Sequence, residues 1–529
     1  MRTYKSVFYG SRNKMHRAIL ILCLCAGATP SRILGIFPHT GKSHFDVFEP
    51  LMLALANRGH DVTVMSFYPQ TTKVANYTDI NLVGTMPLFL NALTFDSIAD
   101  NSGFNLYNMP FISSIGLACC EPILSSGVVR DLLRSDNEFD LLIFEIFNTD
   151  CFLGFAHRFK APYIGFSSTG LMVPHNGRLG NPQNPSYIPN LDFPFSDKMT
   201  FPERMLNAVS VLYFRLSRLY YYDAQGEKIA RKYFGEDMPS LEDIASNIQL
   251  MFTNTHYSLN LPRPLVPAIV PVGGLCIKPP KPLPQNVEQY ISEAKDGVIL
   301  FSMGSLLLAN SFPDEKRNAF MNAFAELPQK FIMKWENTTF PNQPSNLKTM
   351  QWLPQRDILA HPKVLAFITH GGLLGLSEAV YSGVPVIGIP IFGDQPSNIA
   401  AVVANGAGIK LSYSTLTKET ILEALKKIIH DKSYKNNALK LASVYRDRPQ
   451  EPLDTAVYWT EFVLRHNGTP FMQSAAVHQP WYENLLLDVI AAFAILLVVI
   501  FKVLLFIARR ITVYLSNVLY NNNKVKKNV

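Results

Sequence analysis

Charged residues are scarce in this 529-residue sequence. Only 17% of the residues are charged and 48% are hydrophobic, and the net charge of +7 at pH 7 is small for this length. Much of the positive excess lies at the two ends of the chain, which argues against a nucleic-acid-binding surface. The length is enough for two or three domains, and the apolar composition suggests a membrane segment.

Cysteine is also scarce, and none of the six cysteines forms a Cys-x-x-Cys pair, which argues against a zinc site. Two of them, Cys23 and Cys25, fall in a predicted signal peptide. One disulfide is possible in an oxidising compartment among the other four, and their spacing leaves its identity open. These four are Cys119, Cys120, Cys151 and Cys276.

Two cofactor motifs are missing as well. The segment after the first predicted strand, residues 35–41, lacks the GxGxxG fingerprint of a dinucleotide-binding oxidoreductase. No Asp-x-Asp pair is present either, so the sequence predicts chemistry that needs no metal ion.

Both ends of the chain carry predicted targeting signals. Basic residues, an apolar run and an Ala-Gly-Ala site predict a signal peptide over residues 1–28. Residues 485–508 are almost wholly apolar and long enough for a transmembrane helix. Basic residues follow it, so residues 509–529 are expected in the cytosol. Lys526 and Lys527 match the dilysine retrieval signal of endoplasmic reticulum membrane proteins.

These signals predict a single-pass type I protein of the endoplasmic reticulum membrane with a lumenal body. Three Asn-x-Thr acceptor triplets for N-glycosylation fit that placement, at Asn76, Asn337 and Asn467.

Alternating strand and helix patterns predict two α/β domains, residues 29–260 and 289–484. Eight prolines crowd residues 261–284, which predicts a stiff linker over residues 261–288. A helix near residues 454–465 is expected to cross back to the first domain.

Residues 367–395, FITHGGLLGLSEAVYSGVPVIGIPIFGDQ, are the most informative stretch. An apolar strand, a His-Gly-Gly turn and a helix place free backbone N–H groups at the carboxyl edge of a sheet, where they form an anion site suited to a diphosphate. Glu378 on that helix can accept hydrogen bonds from ribose hydroxyls. Asp394 and Gln395, beyond the next strand, suit the hydroxyls of a sugar.

This stretch resembles the signature of the UDP-glycosyltransferases position by position. Other blocks agree, at residues 301–305, 351–355, 446–449 and 452–456. The resemblance covers nearly the whole chain and is nearest to the membrane-bound animal type, particularly that of insects. It implies the glycosyltransferase-B architecture, in which two Rossmann-like domains face each other across a cleft.

The resemblance also implies the donor contacts. Trp352 and Gln355 are expected to hold uracil, and His370 to approach the diphosphate. Arg263 matches a basic position that some relatives use near the donor, and a solvated linker arginine is the alternative. The remaining expected donor residues are Ser302, Gly304, Ser305, Gly371, Gly372, Gly375, Glu378, Asp394, Gln395 and Asn398.

Transfer of a sugar to a hydroxyl needs a general base. His44 matches the catalytic histidine of the family, and His39 is expected at the rim of the cleft. The carboxylate that orients the base is either Glu145, at the end of a strand, or Asp150, just before Cys151. The residue type favours Asp150.

The sequence therefore predicts an inverting UDP-glycosyltransferase that moves a hexose, with glucose favoured over glucuronate, to a small lipophilic alcohol or phenol, as in detoxification or metabolite conjugation. The UDP-sugar is a co-substrate, no metal or other cofactor is expected, and a homo- or hetero-oligomer is possible. The alternatives are a catalytically silent nucleotide-sugar-binding membrane protein, an NAD-type oxidoreductase and a lipid-sugar synthase.

Overall fold

A computed structural model describes residues 30–89, 91–95, 108–337 and 343–527. The predicted signal peptide lies outside these residues. The strands form two all-parallel sheets of seven and six strands. Several central strands are buried along their whole length, as expected when helices cover both faces of a parallel sheet.

The first sheet has the order β3-β2-β1-β4-β5-β6-β7. The central position of β1, β4 and β5 brings their carboxyl ends to one edge. The strands are β1 (Arg32–Phe37), β2 (Asp61–Ser66), β3 (Tyr77–Asn81), β4 (Leu141–Glu145), β5 (Tyr163–Ser167), β6 (Leu250–Thr253) and β7 (Ile269–Pro271).

The helices up to residue 271 cover this sheet and extend beyond it. They are α1 (Lys42–Asn57), α2 (Asn108–Leu124), α3 (Gly127–Arg134), α4 (Gly154–Phe159), α5 (Val173–Arg178), α6 (Phe201–Ser217), α7 (Asp223–Phe234), α8 (Leu241–Ser246) and α9 (Tyr257–Asn260). A π-helical turn, Arg218–Tyr222, joins α6 to α7.

The second sheet has the order β10-β9-β8-β11-β12-β13. Its strands are β8 (Val298–Ser302), β9 (Lys330–Lys334), β10 (Leu347–Met350), β11 (Val364–Thr369), β12 (Val386–Gly388) and β13 (Gly408–Lys410). The helices from residue 285 to 466 are α10 (Gln285–Ser292), α11 (Asp314–Ala325), α12 (Gln355–Leu359), α13 (Leu373–Ser382), α14 (Gln395–Ala404), α15 (Lys418–His430), α16 (Lys432–Arg446) and α17 (Pro452–His466).

The proline-rich segment differs from the predicted linker over residues 261–288. Its residues 269–271 form β7, the edge strand of the first sheet, and α10 already begins at Gln285. Ile269 and Val270 are buried there, and the N–H of Met251 donates to the carbonyl of Ala268 at 2.8 Å. Proline is tolerated at the end of an edge strand, so the prolines did not prevent pairing.

Each half also sends a segment into the other. Helix α17 packs its buried residues Ala456, Val457 and Val463 into the core of the first half, and Arg58 Nη2 donates to Glu461 Oε2 at 3.0 Å. In the opposite direction, Phe95 is buried against Phe312 of the second half, with ring centroids 3.8 Å apart.

Residues 474–529 form a separate unit. It contains α18 (Trp481–Asn484) and α19 (Leu487–Lys527), and α19 is long and apolar enough over residues Leu487–Asn522 to cross a membrane. The helix starts two residues after the predicted boundary and continues past residue 508 into the predicted tail. No glycine or proline interrupts residues 509–527, which explains the continuation.

Candidate functional site

The predicted site residues gather where the carboxyl edges of the two sheets face each other, the usual place for ligands in open α/β sheets. Two cavities meet there. A polar cleft of about 1450 Å³ extends into the second half, and an apolar cavity of about 910 Å³ extends into the first. Ser43, His44, Thr169, Ser305 and Asp394 are among the residues that line both.

His44 lies in the first turn of α1 and is held by two side chains from neighbouring strand ends. Its Nδ1 is 2.6 Å from Glu145 Oε1 and 2.9 Å from Ser168 Oγ. Glu145 ends β4, and Ser168 follows β5 directly. Because both contacts use Nδ1, Nε2 remains as the nitrogen available to a substrate.

Burial sets the charge of this pair. It lowers the pKa of His44 to about 3 and raises the pKa of Glu145 to about 7. The imidazole is therefore neutral at pH 7 and can accept a proton.

The His39 ring stacks on the His44 ring, with centroids 3.9 Å apart and planes 17° apart. The N–H of Gly41 donates to His39 Nδ1 at 2.9 Å. His39 therefore fixes the plane of the His44 ring from the side of the apolar cavity.

The preference for Asp150 as the partner of His44 was wrong. Asp150 is buried between two arginines, with its Oδ2 2.8 Å from Arg178 Nη2 and 2.7 Å from Arg218 Nη2. Although burial alone would raise the pKa of Asp150, these guanidinium groups hold it well below its usual range. The carboxylate serves as the counter-ion of two buried cations and does not reach the imidazole.

A disulfide joins Cys120 of α2 to Cys151, directly after Asp150. Cys119 and Cys276 remain free thiols. The bond fixes the loop that begins at Glu145 and so supports the carboxylate beside His44.

The His-Gly-Gly turn closes the polar cleft at the start of α13. Gly371 has φ +90°, which favours glycine. A Cβ on Gly304 or on Gly372 would lie 2.6 Å from the His370 ring, so both positions require glycine for the ring to fit between them. The first N–H groups of this ten-residue helix have no partner within the helix, as the predicted anion site requires.

Trp352, Gln355 and Glu378, the residues predicted to hold the uracil and ribose, all line the polar cleft. Gln355 Nε2 donates to Glu378 Oε2 at 2.7 Å, and burial raises the pKa of Glu378 to about 7. Trp352 is 58% exposed, so its indole face is free to stack on a planar ligand.

Asp394 and Gln395, the residues predicted to contact the sugar, also line the cleft, and their part of it is called here the sugar end. Gln395 Oε1 accepts hydrogen bonds from the N–H groups of Ile391 and Phe392, at 2.9 and 3.2 Å. Its amide nitrogen therefore remains to donate. Burial raises the pKa of Asp394 to about 6.

Most predicted donor residues line the cleft, and three do not. Gly371 turns the backbone behind it, and Asn398 Nδ2 donates to the Gly371 carbonyl at 3.1 Å, so Asn398 supports the turn from the protein side. Arg263 donates to Asn176 Oδ1 at 2.9 Å in the first half, because its segment turns back toward β7. The residues that do line it are Ser302, Gly304, Ser305, Trp352, Gln355, His370, Gly372, Gly375, Glu378, Asp394 and Gln395.

Sequence reasoning missed three polar residues of the site. Ser168 and Lys334 stand at strand ends, and a survey of the strand ends would have found both. Lys334 Nζ donates to the Gly304 carbonyl at 2.9 Å and lies 3.0 Å from Glu336 Oε1. Asp192 carried no sequence signal. Its pKa is raised to about 8 by burial and by neighbouring Asp394.

The apolar cavity is walled mainly by large hydrophobic side chains, with Asp192 and Asp394 among its few carboxyls. It suits an apolar molecule that presents one polar group toward His44. The hydrophobic wall residues are Phe89, Leu93, Met109, Phe111, Ile112, Ile115, Phe147, Met172, Leu191, Leu306 and Phe392.

The asparagines of the three acceptor triplets are exposed. The threonine of the last triplet, Thr469, is buried and its hydroxyl donates to the Gln249 carbonyl. The rest of the triplet that begins at Asn337 lies outside the described residues. Within the described part of the chain, no group of three or more His, Cys, Asp or Glu side chains is placed to hold a metal ion.

Comparison with known proteins agrees with this geometry. The family model described as "UDP-glucoronosyl and UDP-glucosyl transferase" matches residues 31–525. UDP-glycosyltransferase UGT5 of Dactylopius coccus is 45% identical over 94% of this chain and 95% of its own. UDP-glucuronosyltransferase 2B14 of Oryctolagus cuniculus is 33% identical over 84% of this chain and 88% of its own.

Among solved structures, the spinosyn forosaminyltransferase SpnP aligns with a TM-score of 0.55, at 16% identity, over 83% of this chain and all of its own. The calicheamicin glycosyltransferase CalG4 aligns with a TM-score of 0.51, at 18% identity, over 82% of this chain and 98% of its own. The fold is therefore that of the glycosyltransferase-B proteins, as the sequence predicted.

Proposed function

The chain belongs to the UDP-glucuronosyl and UDP-glucosyl transferase family, and we propose that it transfers glucose from UDP-glucose to a hydroxyl group of a small lipophilic acceptor. Family membership gives the class of enzyme, a UDP-sugar glycosyltransferase. The sugar, the acceptor and the residue roles are the proposal. The position of His44 carries it, because this buried, neutral base lines both the polar cleft and the apolar cavity.

In the proposed reaction, His44 Nε2 takes the proton of the acceptor hydroxyl as its oxygen attacks the anomeric carbon. The bond from that carbon to the diphosphate oxygen breaks on the opposite side, so an α-linked donor gives a β-glycoside. Glu145 stabilises the imidazolium that forms. The N–H groups at the start of α13 stabilise the charge on the departing UDP.

Glucose is favoured over glucuronate by the charge at the sugar end. The charge of Asp394 raises the pKa of Asp192, so the two carboxyls lie close together there. The carboxylate of glucuronate would add negative charge beside these two carboxyls. Arg263, which would have favoured glucuronate, contacts Asn176 instead.

The apolar walls of the cavity support a lipophilic acceptor. The His44–Glu145 contact favours an active enzyme over a silent binding protein.

We propose that the catalytic body is in the lumen of the endoplasmic reticulum and that the C-terminal helix is a single type I span. Sensitivity of the protein to endoglycosidase H, and its loss in an Asn76→Gln, Asn337→Gln, Asn467→Gln variant, tests that placement.

The function is tested with microsomes that contain the protein, UDP-glucose or UDP-glucuronate, and a panel of phenols, with products identified by mass spectrometry. We expect glucosides. His44→Ala should abolish glycoside formation while UDP still binds, because the residue acts on the acceptor side. Full activity of that variant, or a preference for UDP-glucuronate, would contradict the proposal.

A further inference from the structure

Helix α6 and the π-helical turn after it bury polar side chains and expose large apolar side chains. On the inner side, Asn207 and Ser210 are fully buried, and Asn207 Nδ2 donates to the carbonyls of Pro185 and Ile188. The outer side carries a row of large apolar side chains that are between 42% and 76% exposed. This row, called here the outer row, is Phe201, Met205, Val209, Leu212, Tyr213, Leu216, Leu219, Tyr220 and Tyr221.

A helix on the surface of a soluble protein shows the opposite arrangement, with its apolar stripe inward and its polar face in water. Nine half-exposed large side chains also exceed the few hundred Å² that a soluble monomer usually exposes as one apolar patch. Elsewhere among the described residues of this unit, exposed large apolar side chains are scattered. The outer row is thus suited to a medium other than water.

The composition of the outer row matches a lipid–water interface. Tyr220 and Tyr221 stand at its C-terminal end and Tyr213 at its middle. Tyrosine is enriched where one side of a ring is apolar and the other is wet. Arg215 is exposed within the row, and the Arg204 guanidinium lies over the Phe201 ring, 5.9 Å from its centroid. Arginines beside an apolar helical face complement anionic headgroups.

The chain also supplies the proximity that such docking needs. Its separate C-terminal unit contains a helix long and apolar enough to span a bilayer. A tether of this kind raises the effective concentration of lipid around the body, so a weak interfacial affinity is sufficient. We propose that the outer row docks on the surface of the bilayer that holds the C-terminal helix.

The inner side of the same helix connects this surface to the apolar cavity. Val211 and Phe214 of α6 pack in one cluster with Met109 and Met172, which line the cavity. Docking therefore places the cavity wall one helix away from lipid. Resting on the proposed function, this geometry means that lipophilic acceptors reach the cavity from the bilayer.

The docking is tested on the full chain in vesicles with and without brominated acyl chains. Leu212→Trp places a fluorophore in the outer row, and Leu439→Trp, at another exposed leucine on α16, is the matched control. The four native tryptophans give the same background in both. We expect brominated lipid to quench the added emission of Leu212→Trp and not that of Leu439→Trp.

Two results would overturn the docking proposal. If brominated lipid leaves the Leu212→Trp emission unchanged while aqueous acrylamide quenches it, the row faces water. If neither agent quenches it, the row is covered by protein, such as a second copy of the chain.

Delivery from the bilayer is tested with the double variant Leu212→Ser, Leu216→Ser, again beside Leu439→Ser. For a long-chain alkylphenol in the vesicles, we expect kcat/KM to fall about tenfold, ~1.4 kcal/mol, and to stay unchanged for a short water-soluble phenol. Equal losses for both phenols would contradict delivery. If the wild type glycosylates neither phenol, the proposed function fails, while the quenching result still decides the docking.

Discussion

The two sides of the cleft are built in different ways. On the donor side, the residues proposed to hold the diphosphate, the ribose and the sugar come from one stretch, residues 370–395. On the acceptor side, His44 meets Glu145 and Ser168, which are 101 and 124 positions away along the chain. One site is fixed by local sequence and the other by the order of strands in a sheet.

The difference shows what each side depends on. The donor turn needs a strand, three specific residues, a helix and one distant glycine, Gly304, so its geometry follows mainly from neighbours in the sequence. The base site depends on β1, β4 and β5 lying side by side, with Ile36 paired to Phe144 and Phe144 to Gly165. Substitutions on the acceptor side should therefore lower kcat and leave UDP binding unchanged. Substitutions on the donor side should weaken UDP binding.

Glu145→Gln is expected to give the largest difference between the effect on kcat and the effect on UDP binding. The amide cannot stabilise the imidazolium, so kcat should fall by about 10²–10⁴-fold, while the dissociation constant for UDP stays unchanged. Steady-state kinetics and calorimetric titration of UDP measure the two quantities. An equal loss in UDP binding would erase the contrast between the two sides.

Asp150→Asn should instead affect stability. Removing the anion leaves Arg178 and Arg218 with the more exposed Asp223 and Glu242, so their charge is less well compensated and the free energy of unfolding should fall by about 1–3 kcal/mol. The thermal unfolding midpoint should fall, while kcat per folded molecule changes little. If Asp150→Asn lost kcat as strongly as Glu145→Gln and kept its melting temperature, Asp150 would be the catalytic partner after all.

The pH dependence gives a smaller effect on the acceptor side. Burial raises the pKa of Glu145 to about 7, and the active form is its carboxylate. At saturating donor, kcat should therefore rise about tenfold per unit up to pH 7 and level off above it. His44 is already neutral over this range. Glu378→Gln should keep the rise, whereas Glu145→Gln should lose it.

A test of the donor side is Trp352→Ala. Loss of a stacking partner for the base should weaken UDP binding by about 1–3 kcal/mol with kcat at saturation little changed. Titration of UDP against wild type measures the first quantity. A fall in kcat without a change in affinity would mean that Trp352 does not hold the base.

The smallest effect is expected from Arg263→Ala. Its guanidinium contacts Asn176, away from the cleft, so KM for UDP-glucose and UDP-glucuronate should stay as in the wild type. A rise in KM for one donor and not for the other would show that Arg263 contacts the donor sugar.

Much of the donor side was predictable from the sequence because its residues are close together along the chain. The turn at His370 lies in the cleft, and so do Trp352 and Gln355, for which the roles in binding remain predictions. The glycosyltransferase-B fold followed from the same motifs and is confirmed by its structural neighbours.

The acceptor side was less predictable for a physical reason. Asp150 and Glu145 are five residues apart, and only the positions of Arg178 and Arg218 decide which carboxylate faces His44. The pairing of Cys120 with Cys151, and not with another cysteine, likewise depends on where α2 packs. Asp192 lies in an irregular segment whose path no local pattern specifies.

The exchange of segments between the halves limits how such proteins recombine. A chimera that transplants the acceptor half by cutting once, near residue 271, would leave α17 behind and expose the surface that Ala456 and Val463 cover. It would also carry Phe95 into a foreign second core. The acceptor half is therefore a discontinuous module. A chimera must take residues 30–271 and 452–473 from the same protein, and its second half must provide a pocket that accepts Phe95.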